Sequence, residues 1–89
     1  MVNAAIRRDE SVMVREVDGE ILVLDTLSNQ VHQLNRTASL IWRLFGEEAS
    51  PEAIAAALTA EFAVDEQTAL NDVLETLRRL RSLNLLTER

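Results

Sequence analysis

The chain has 89 residues, with fifteen acidic and nine basic side chains and a formal net charge of −6. A chain of this length forms one domain around one small core, and we expect it to have modest stability or to dimerise. The negative balance opposes binding to nucleic acid, because that affinity comes largely from Lys and Arg displacing counterions from phosphates. The absence of cysteine excludes disulfides, thiolate metal sites and cysteine nucleophiles.

The N-terminal residues 1–10 are polar and are predicted to form a flexible segment. They lack the apolar core of a signal peptide, and no apolar run in the chain approaches the roughly 20 residues of a membrane span. We therefore expect a soluble, cytoplasmic protein with no membrane partner.

Three short strands are predicted next. Residues 12–17 alternate between two faces, Asp18-Gly19 is the strongest hairpin signal in the chain, and Glu20–Asp25 is apolar on both faces, as expected of a central strand. A turn cluster then leads to the third strand, Val31–Leu34. The simplest arrangement is an antiparallel meander with its first and third strands at the edges.

The first predicted helix follows the third strand directly. Asn35 is expected to cap it, and its surface is apolar nearly all round, which is typical of a core helix. It carries the single tryptophan, Trp42, which we expect to be buried. Gly46 is predicted to end the helix in the left-handed conformation.

Two more helices are predicted. Ser50 followed by Pro51 indicates a helix over about residues 51–62. Asp65 is expected to cap a long third helix over about residues 66–83, after which Asn84 takes a left-handed conformation. The inward stripe of the third helix is predicted to be Leu70, Val73, Leu77 and Leu80. The fold class is therefore α+β, a three-stranded antiparallel sheet followed by three helices with winged helix-turn-helix proportions.

The sequence contains no arrangement of residues that indicates a catalytic site. His32 is the single histidine, and no spacing around it matches a metal-ligand set. Asp72 and Glu75 lie three residues apart, but Arg78, Arg79 and Arg81 follow within a turn, which is typical of a solvated, ion-paired helix face. We therefore predict no catalytic residue, no metal and no cofactor.

Seven short motifs along the chain match the pattern of one known family. They are Gly19–Asp25, His32–Ala38, Ile41-Trp42, Ser50–Ala55, Phe62–Asp65, Asp72-Val73 and Leu83–Leu86. On these motifs the chain resembles the PqqD family, also described as precursor-peptide recognition elements of ribosomally made, modified peptides. The likeness covers about residues 11–86, which are expected to form the peptide-binding domain, with residues 87–89 as a tail. At two positions the chain departs from the family pattern, since His32 replaces a frequent aromatic residue and Asn84 a usual glycine.

The resemblance implies a non-catalytic chaperone of peptide maturation. Such proteins bind the leader of a precursor peptide and present it to a modifying enzyme, often a radical-SAM maturase or a protease-cyclase. The leader is implied to join the sheet as an extra strand beside the third strand, in the groove against the third helix. Independently, Val31–Leu34 has no proline or lysine to block pairing at its free edge. The residues predicted to bind the peptide are Val31, His32, Gln33, Leu34, Ala69, Asp72, Thr76, Arg79 and Leu83.

Three alternatives remain open from the sequence. The residues of the third helix that are predicted to bind the peptide, Ala69, Asp72, Thr76 and Arg79, could instead face water, with Leu83 completing the core. A winged-helix DNA binder would use the same helix for recognition, although its outward residues near the N-terminal end include Glu66, Asp72 and Glu75, which repel phosphates. The open edge strand could also pair with a second copy, so a homodimer is compatible with peptide binding.

Overall fold

A computed structural model describes residues 4–88, which form two small antiparallel sheets and three helices. The predicted α+β class, with a three-stranded antiparallel sheet followed by three helices, is confirmed; a second sheet joins the chain ends. The elements in chain order are β1 (Ala4–Ile6), β2 (Val12–Val17), β3 (Glu20–Asp25), β4 (Gln30–Leu34), α1 (Arg36–Gly46), α2 (Pro51–Phe62), α3 (Glu66–Ser82) and β5 (Leu86–Glu88).

The larger sheet is a meander in the order β2-β3-β4. Asp18 and Gly19 have φ angles of 52° and 82°, and they form the two-residue loop between the paired Val17 and Glu20. Positive φ at both loop positions matches the right-handed twist of the strands, which is why Asp-Gly favours this hairpin. The prediction of a central β3 flanked by two edge strands is confirmed within this sheet.

The core lies between one face of this sheet and the helices. Ile21 and Val23 of β3 are buried, whereas Leu22 and Leu24 on the other face remain partly exposed. Trp42 of α1 packs in the same core with 6% of its surface exposed, as predicted. The meander is therefore covered on one face and open on the other.

Each helix begins at the predicted cap. The side chains of Asn35, Ser50 and Asp65 accept hydrogen bonds from backbone N–H groups three residues further on, at 2.8, 3.1 and 2.7 Å. These bonds satisfy donors that the first turn of a helix leaves unpaired. At the other end of α3, Asn84 has a φ of 61°, which confirms its predicted left-handed conformation.

The predicted end of α1 is wrong in detail. Gly46 is the last residue of the helix, and the left-handed conformation falls instead on Glu48, whose φ is 66°. Arg8 Nη2 donates to the Gly46 carbonyl at 2.7 Å, and a Cβ on Gly46 would lie 2.9 Å from that nitrogen, which is the far end of a flexible, exposed side chain that can shift at little cost.

The inward stripe of α3 differs from the prediction at one position. Val73, Leu77 and Leu80 are buried as expected, but the fourth member is Ala69, which is fully buried, while Leu70 is only partly buried. Ala69 continues the four-residue spacing of Val73 and Leu77, so it shares their face.

Within the segment over residues 1–10 that is predicted to be flexible, residues 4–6 form a strand, and residues 1–3 lie outside the described part of the chain. Ala4–Ile6 forms β1, which pairs with β5, and the two residues that open the predicted tail, Thr87 and Glu88, belong to this second sheet. Ala4 and Ile6 are buried. Burial of these apolar side chains against the core favours the ordering of this segment, although the residues around it are mostly polar.

A buried ion pair fixes the same segment to the meander. The Arg7 guanidinium, only 6% exposed, donates two hydrogen bonds to the Asp25 carboxylate, at 3.0 and 3.2 Å, and one to the Asn84 carbonyl at 2.9 Å. The hydrogen bonds from Arg7 lower the pKa of Asp25 to about 2. Because a bidentate arginine satisfies both carboxylate oxygens, the two charges are buried as a matched pair.

Candidate functional site

The free edge of β4 is defined by the alternation of hydrogen bonds in the meander. In an antiparallel pair, residues alternate between those that bond to the neighbouring strand and those whose N–H and C=O groups point away from it. The tight hairpin makes Val17 and Glu20 a bonded pair, so the even-numbered residues of β3 bond to β2. The odd-numbered residues of β3 therefore face β4.

Two hydrogen bonds at the ends of β3 agree with this assignment. The N–H of Thr26, an even-numbered residue, donates to the Ser11 carbonyl on the β2 side at 2.8 Å. The N–H of Ile21, an odd-numbered residue, donates to Ser39 Oγ at 2.9 Å, and that hydroxyl donates to the Leu34 carbonyl at 3.0 Å. Ser39 thus closes the β3–β4 ladder from the first turns of α1.

The register then assigns each residue of β4. His32 pairs with Val23 and Leu34 pairs with Ile21, so the backbone groups of His32 and Leu34 face β3. The N–H and C=O groups of Val31 and Gln33 point away from β3, towards the free edge. Both side chains are exposed, Val31 by 63%, on the open face of the sheet. Four backbone hydrogen-bonding groups are thus presented along one edge.

A groove opens where β4 passes into α1. It has a volume of about 380 Å³ and lies between the start of α1 and the middle of α3. No Cα atom of β4 lies within 8 Å of a Cα atom of α3 among the described residues, so the edge strand and the helix are held apart. The groove is lined by Asn35, Thr37, Ala38, Asp72, Glu75, Thr76 and Arg79.

The structure places the predicted site residues in three environments. Asp72, Thr76 and Arg79 line the groove together. Val31, His32 and Gln33 lie on the neighbouring edge strand. The side chains of Leu34 and Ala69 are fully buried in the core, and Leu83 is partly buried against it.

Four groove residues were missed by sequence reasoning. Glu75 lies one turn from Asp72 on the same helix, so helical spacing could have found it. Asn35, Thr37 and Ala38 could not be found in this way, because only the packing of α1 against α3 makes them the opposite wall. The Asn35 side-chain oxygen already accepts a hydrogen bond as the helix cap, and none of the three residues on this wall carries a charge.

The charged side chains of the groove have no ion-pair partner. The side chains of Asp72, Glu75 and Arg79 form neither a salt bridge nor a hydrogen bond with any other described residue. This holds although Glu75 and Arg79 are four residues apart, the spacing that favours pairing along a helix. The groove therefore presents three unpaired charges on its α3 wall.

His32 has a buried polar atom beside the free edge. Its Nε2 has no hydrogen-bond partner within residues 4–88, and its ring lies on the core side of β4 with Leu34. The described residues contain no group of three or more His, Cys, Asp or Glu side chains that could hold a metal ion. In the same part of the chain, no helix combines the length and apolar character needed to cross a membrane.

The family model described as "Coenzyme PQQ synthesis protein D (PqqD)" matches residues 20–86. The chain belongs to the PqqD family. The match runs from the start of β3 to the start of β5, so it contains both β4 and the groove. No curated protein sequence matches the chain.

Two solved structures are similar to this PqqD-family chain over nearly its whole length. One is described as TbiB1 in complex with the TbiA(beta) leader peptide, with 32% identity, a TM-score of 0.80 and coverage of 92% of this chain and 93% of the other. The second is described as lasso peptide synthetase B1 complexed with the leader peptide, with 27% identity, a TM-score of 0.85 and coverage of 97% and 99%. Both similar proteins were therefore solved with a leader peptide bound.

Proposed function

We propose that this protein binds the leader of a ribosomally made precursor peptide as an added strand along β4 and presents it to a modifying enzyme. The observation that carries this proposal is the row of four free backbone groups of Val31 and Gln33 beside an open groove. Strand addition is a common way to capture an extended peptide, with backbone bonds for affinity and side-chain pockets for selectivity. The two similar structures in complex with leader peptides support the same function.

Backbone pairing alone would give weak binding. Four hydrogen bonds at about 0.5–1.5 kcal/mol each contribute about 2–6 kcal/mol, whereas a dissociation constant of 1 mM already needs about 4 kcal/mol. Binding in the micromolar range, at about 8 kcal/mol, therefore requires side-chain contacts as well. The groove beside β4 is the place where these contacts are available, and it makes the binding depend on the peptide sequence.

The proposed role is non-catalytic and cytoplasmic. His32 is the single histidine of the chain, and neither it nor the groove carboxylates form the paired nucleophile and base that acyl transfer needs. The chemistry belongs to the partner, a radical-SAM maturase or a protease-cyclase, and ribosomal synthesis of the precursor places the encounter in the cytoplasm. A net charge of −6 makes nucleic acid an unfavourable partner.

Amide hydrogen exchange tests the proposed edge directly. The probes are synthetic peptides that tile the small open reading frames beside the gene. A bound peptide should slow exchange at the amides of Val31 and Gln33, while His32 and Leu34 are already protected by pairing with β3. On the opposite edge of the sheet, the amide of Val14 points outward and serves as the matched control.

The outcome distinguishes the possible edges. Protection of Val31 and Gln33 with an unchanged Val14 supports the proposal. Binding that protects Val14 instead would move the peptide to the edge of β2. If none of the tiled peptides binds, leader recognition by this chain is contradicted.

A further inference from the structure

The α3 wall of the groove has a distinctive charge pattern. Asp72 and Glu75 carry negative charge at one end, Arg79 carries positive charge at the other, and the Thr76 hydroxyl lies between them without a hydrogen-bond partner in the described chain. Asp72 and Thr76 are only partly exposed, so a peptide in the groove would cover groups that are already half-withdrawn from water. Covering a charge without pairing it is costly, which makes the pattern selective.

The opposite wall cannot neutralise these charges. Its residues Asn35, Thr37 and Ala38 carry no charge, and the Asn35 side-chain oxygen already accepts a hydrogen bond from the backbone N–H of Ala38. Glu75 and Arg79 on the α3 wall are not paired with each other in the structure, so the compensating charges come from solvent or from the occupant of the groove. When a peptide displaces the solvent, its own side chains are the remaining source.

We propose that the leader carries a basic side chain opposite Asp72 and Glu75 and an acidic side chain opposite Arg79. This inference rests on the proposed function and adds the chemical class of peptide that the groove selects. Asp72 and Arg79 are seven residues apart on a helix that rises 1.5 Å per residue, which separates them by about 10 Å. An extended peptide rises about 3.3 Å per residue and only alternate side chains share a face, so the two complementary side chains are expected roughly two or four residues apart.

The charges contribute to selectivity more than to total affinity. Partly exposed ion pairs contribute modestly, whereas like charges placed opposite each other weaken binding of the wrong partner. We expect reversal of one groove charge to weaken leader binding by about three- to ten-fold. The effect should shrink as salt is raised, because exposed charges are screened within about 10 Å at 0.1 M ionic strength.

Charge reversal on both partners tests this pairing. The protein variants are Asp72→Lys and Arg79→Glu, and the probes are a binding peptide from the tiled set together with versions in which each of its charged residues is reversed. Arg78→Glu is the matched control, because it makes the same charge change on the neighbouring residue of α3, which does not line the groove. Circular dichroism checks that every variant has the parent fold.

The expected result is reciprocal rescue. Asp72→Lys should lose affinity for the parent peptide and regain it with the version whose basic residue is changed to glutamate, and Arg79→Glu should regain it with the acidic residue changed to lysine. Arg78→Glu should bind all versions as the parent protein does. If the parent peptide binds Asp72→Lys and Arg79→Glu as tightly as it binds Arg78→Glu and the parent protein, this inference is overturned while leader binding stands. If the parent protein binds no tiled peptide, both are overturned.

Discussion

Replacing Val31 or Gln33 by proline should weaken leader binding while leaving the fold intact. Proline has no N–H, and at these two positions the N–H points to the free edge of β4 rather than to β3. Each substitution removes one backbone bond to the peptide, worth about 0.5–1.5 kcal/mol, which corresponds to a roughly two- to thirteen-fold loss of affinity. Because the two bonds are separate, the double variant should lose roughly five- to 150-fold.

His32→Pro is the contrasting variant within the same strand. Its N–H faces Val23 on β3, so proline would break the interior of the sheet and leave a carbonyl unpaired, at a cost of about 1–3 kcal/mol in folding free energy. Val31→Ala and Gln33→Ala keep the N–H and report the contribution of the side chains alone. Isothermal titration measures peptide binding, and thermal melting followed by circular dichroism measures folding.

Two results would refute this reasoning. If Val31→Pro and Gln33→Pro fold and bind the leader as tightly as the parent protein, the peptide does not pair with β4. If in addition Arg78→Ala or Arg81→Ala abolishes binding, the outer face of α3 is the site. If Val31→Ala weakens peptide binding as much as Val31→Pro does, the affinity comes from the side chain and not from the backbone hydrogen bond.

Three further predictions concern the fold. Trp42→Ala should cost about 3–5 kcal/mol out of a total on the order of 4–13 kcal/mol for a chain of this length, so a cooperative melt near that of the parent would contradict the role of Trp42 in the core. The hydrogen bonds from Arg7 lower the pKa of Asp25 to about 2, below the value of about 4 in an unfolded chain. The ion pair therefore stabilises the fold above pH 4, and this stabilisation is lost as the pH falls towards 2. In urea unfolding between pH 4 and pH 2, the free energy of unfolding should decrease less with falling pH in Asp25→Asn than in the parent protein. A chelator should leave the melting temperature unchanged, and a clear decrease would make His32 a candidate ligand.

Local signals in the sequence determined most of the secondary structure. Asp18-Gly19 defines a tight hairpin because both positions adopt positive φ, and the caps Asn35, Ser50 and Asp65 mark the helix starts because each side chain bonds a nearby N–H. These interactions join residues that are neighbours in the chain. The sequence therefore contains all the information that they need.

The candidate site was only partly accessible in this way. Helical spacing placed Asp72, Thr76 and Arg79 on one stripe, and the structure brings them together in a groove. Helical spacing also placed Ala69 beside these residues, but the structure buries Ala69 in the core, because tertiary packing decides which side of α3 is covered. The wall opposite α3 depends on how two helices pack, which no local pattern records.

Only the tertiary structure decided how the chain ends are used and which backbone groups are free. β1 pairs with β5 across almost the whole length of the chain, and Arg7 meets Asp25 and the Asn84 carbonyl at the junction of the two sheets. In the same way, the register of β4 against β3 determines that Val31 and Gln33, rather than His32, point their N–H groups towards the free edge of the sheet. The physical reason is that a strand pattern specifies faces, with a period of two, whereas the direction in which each N–H points depends on the partner strand and its register.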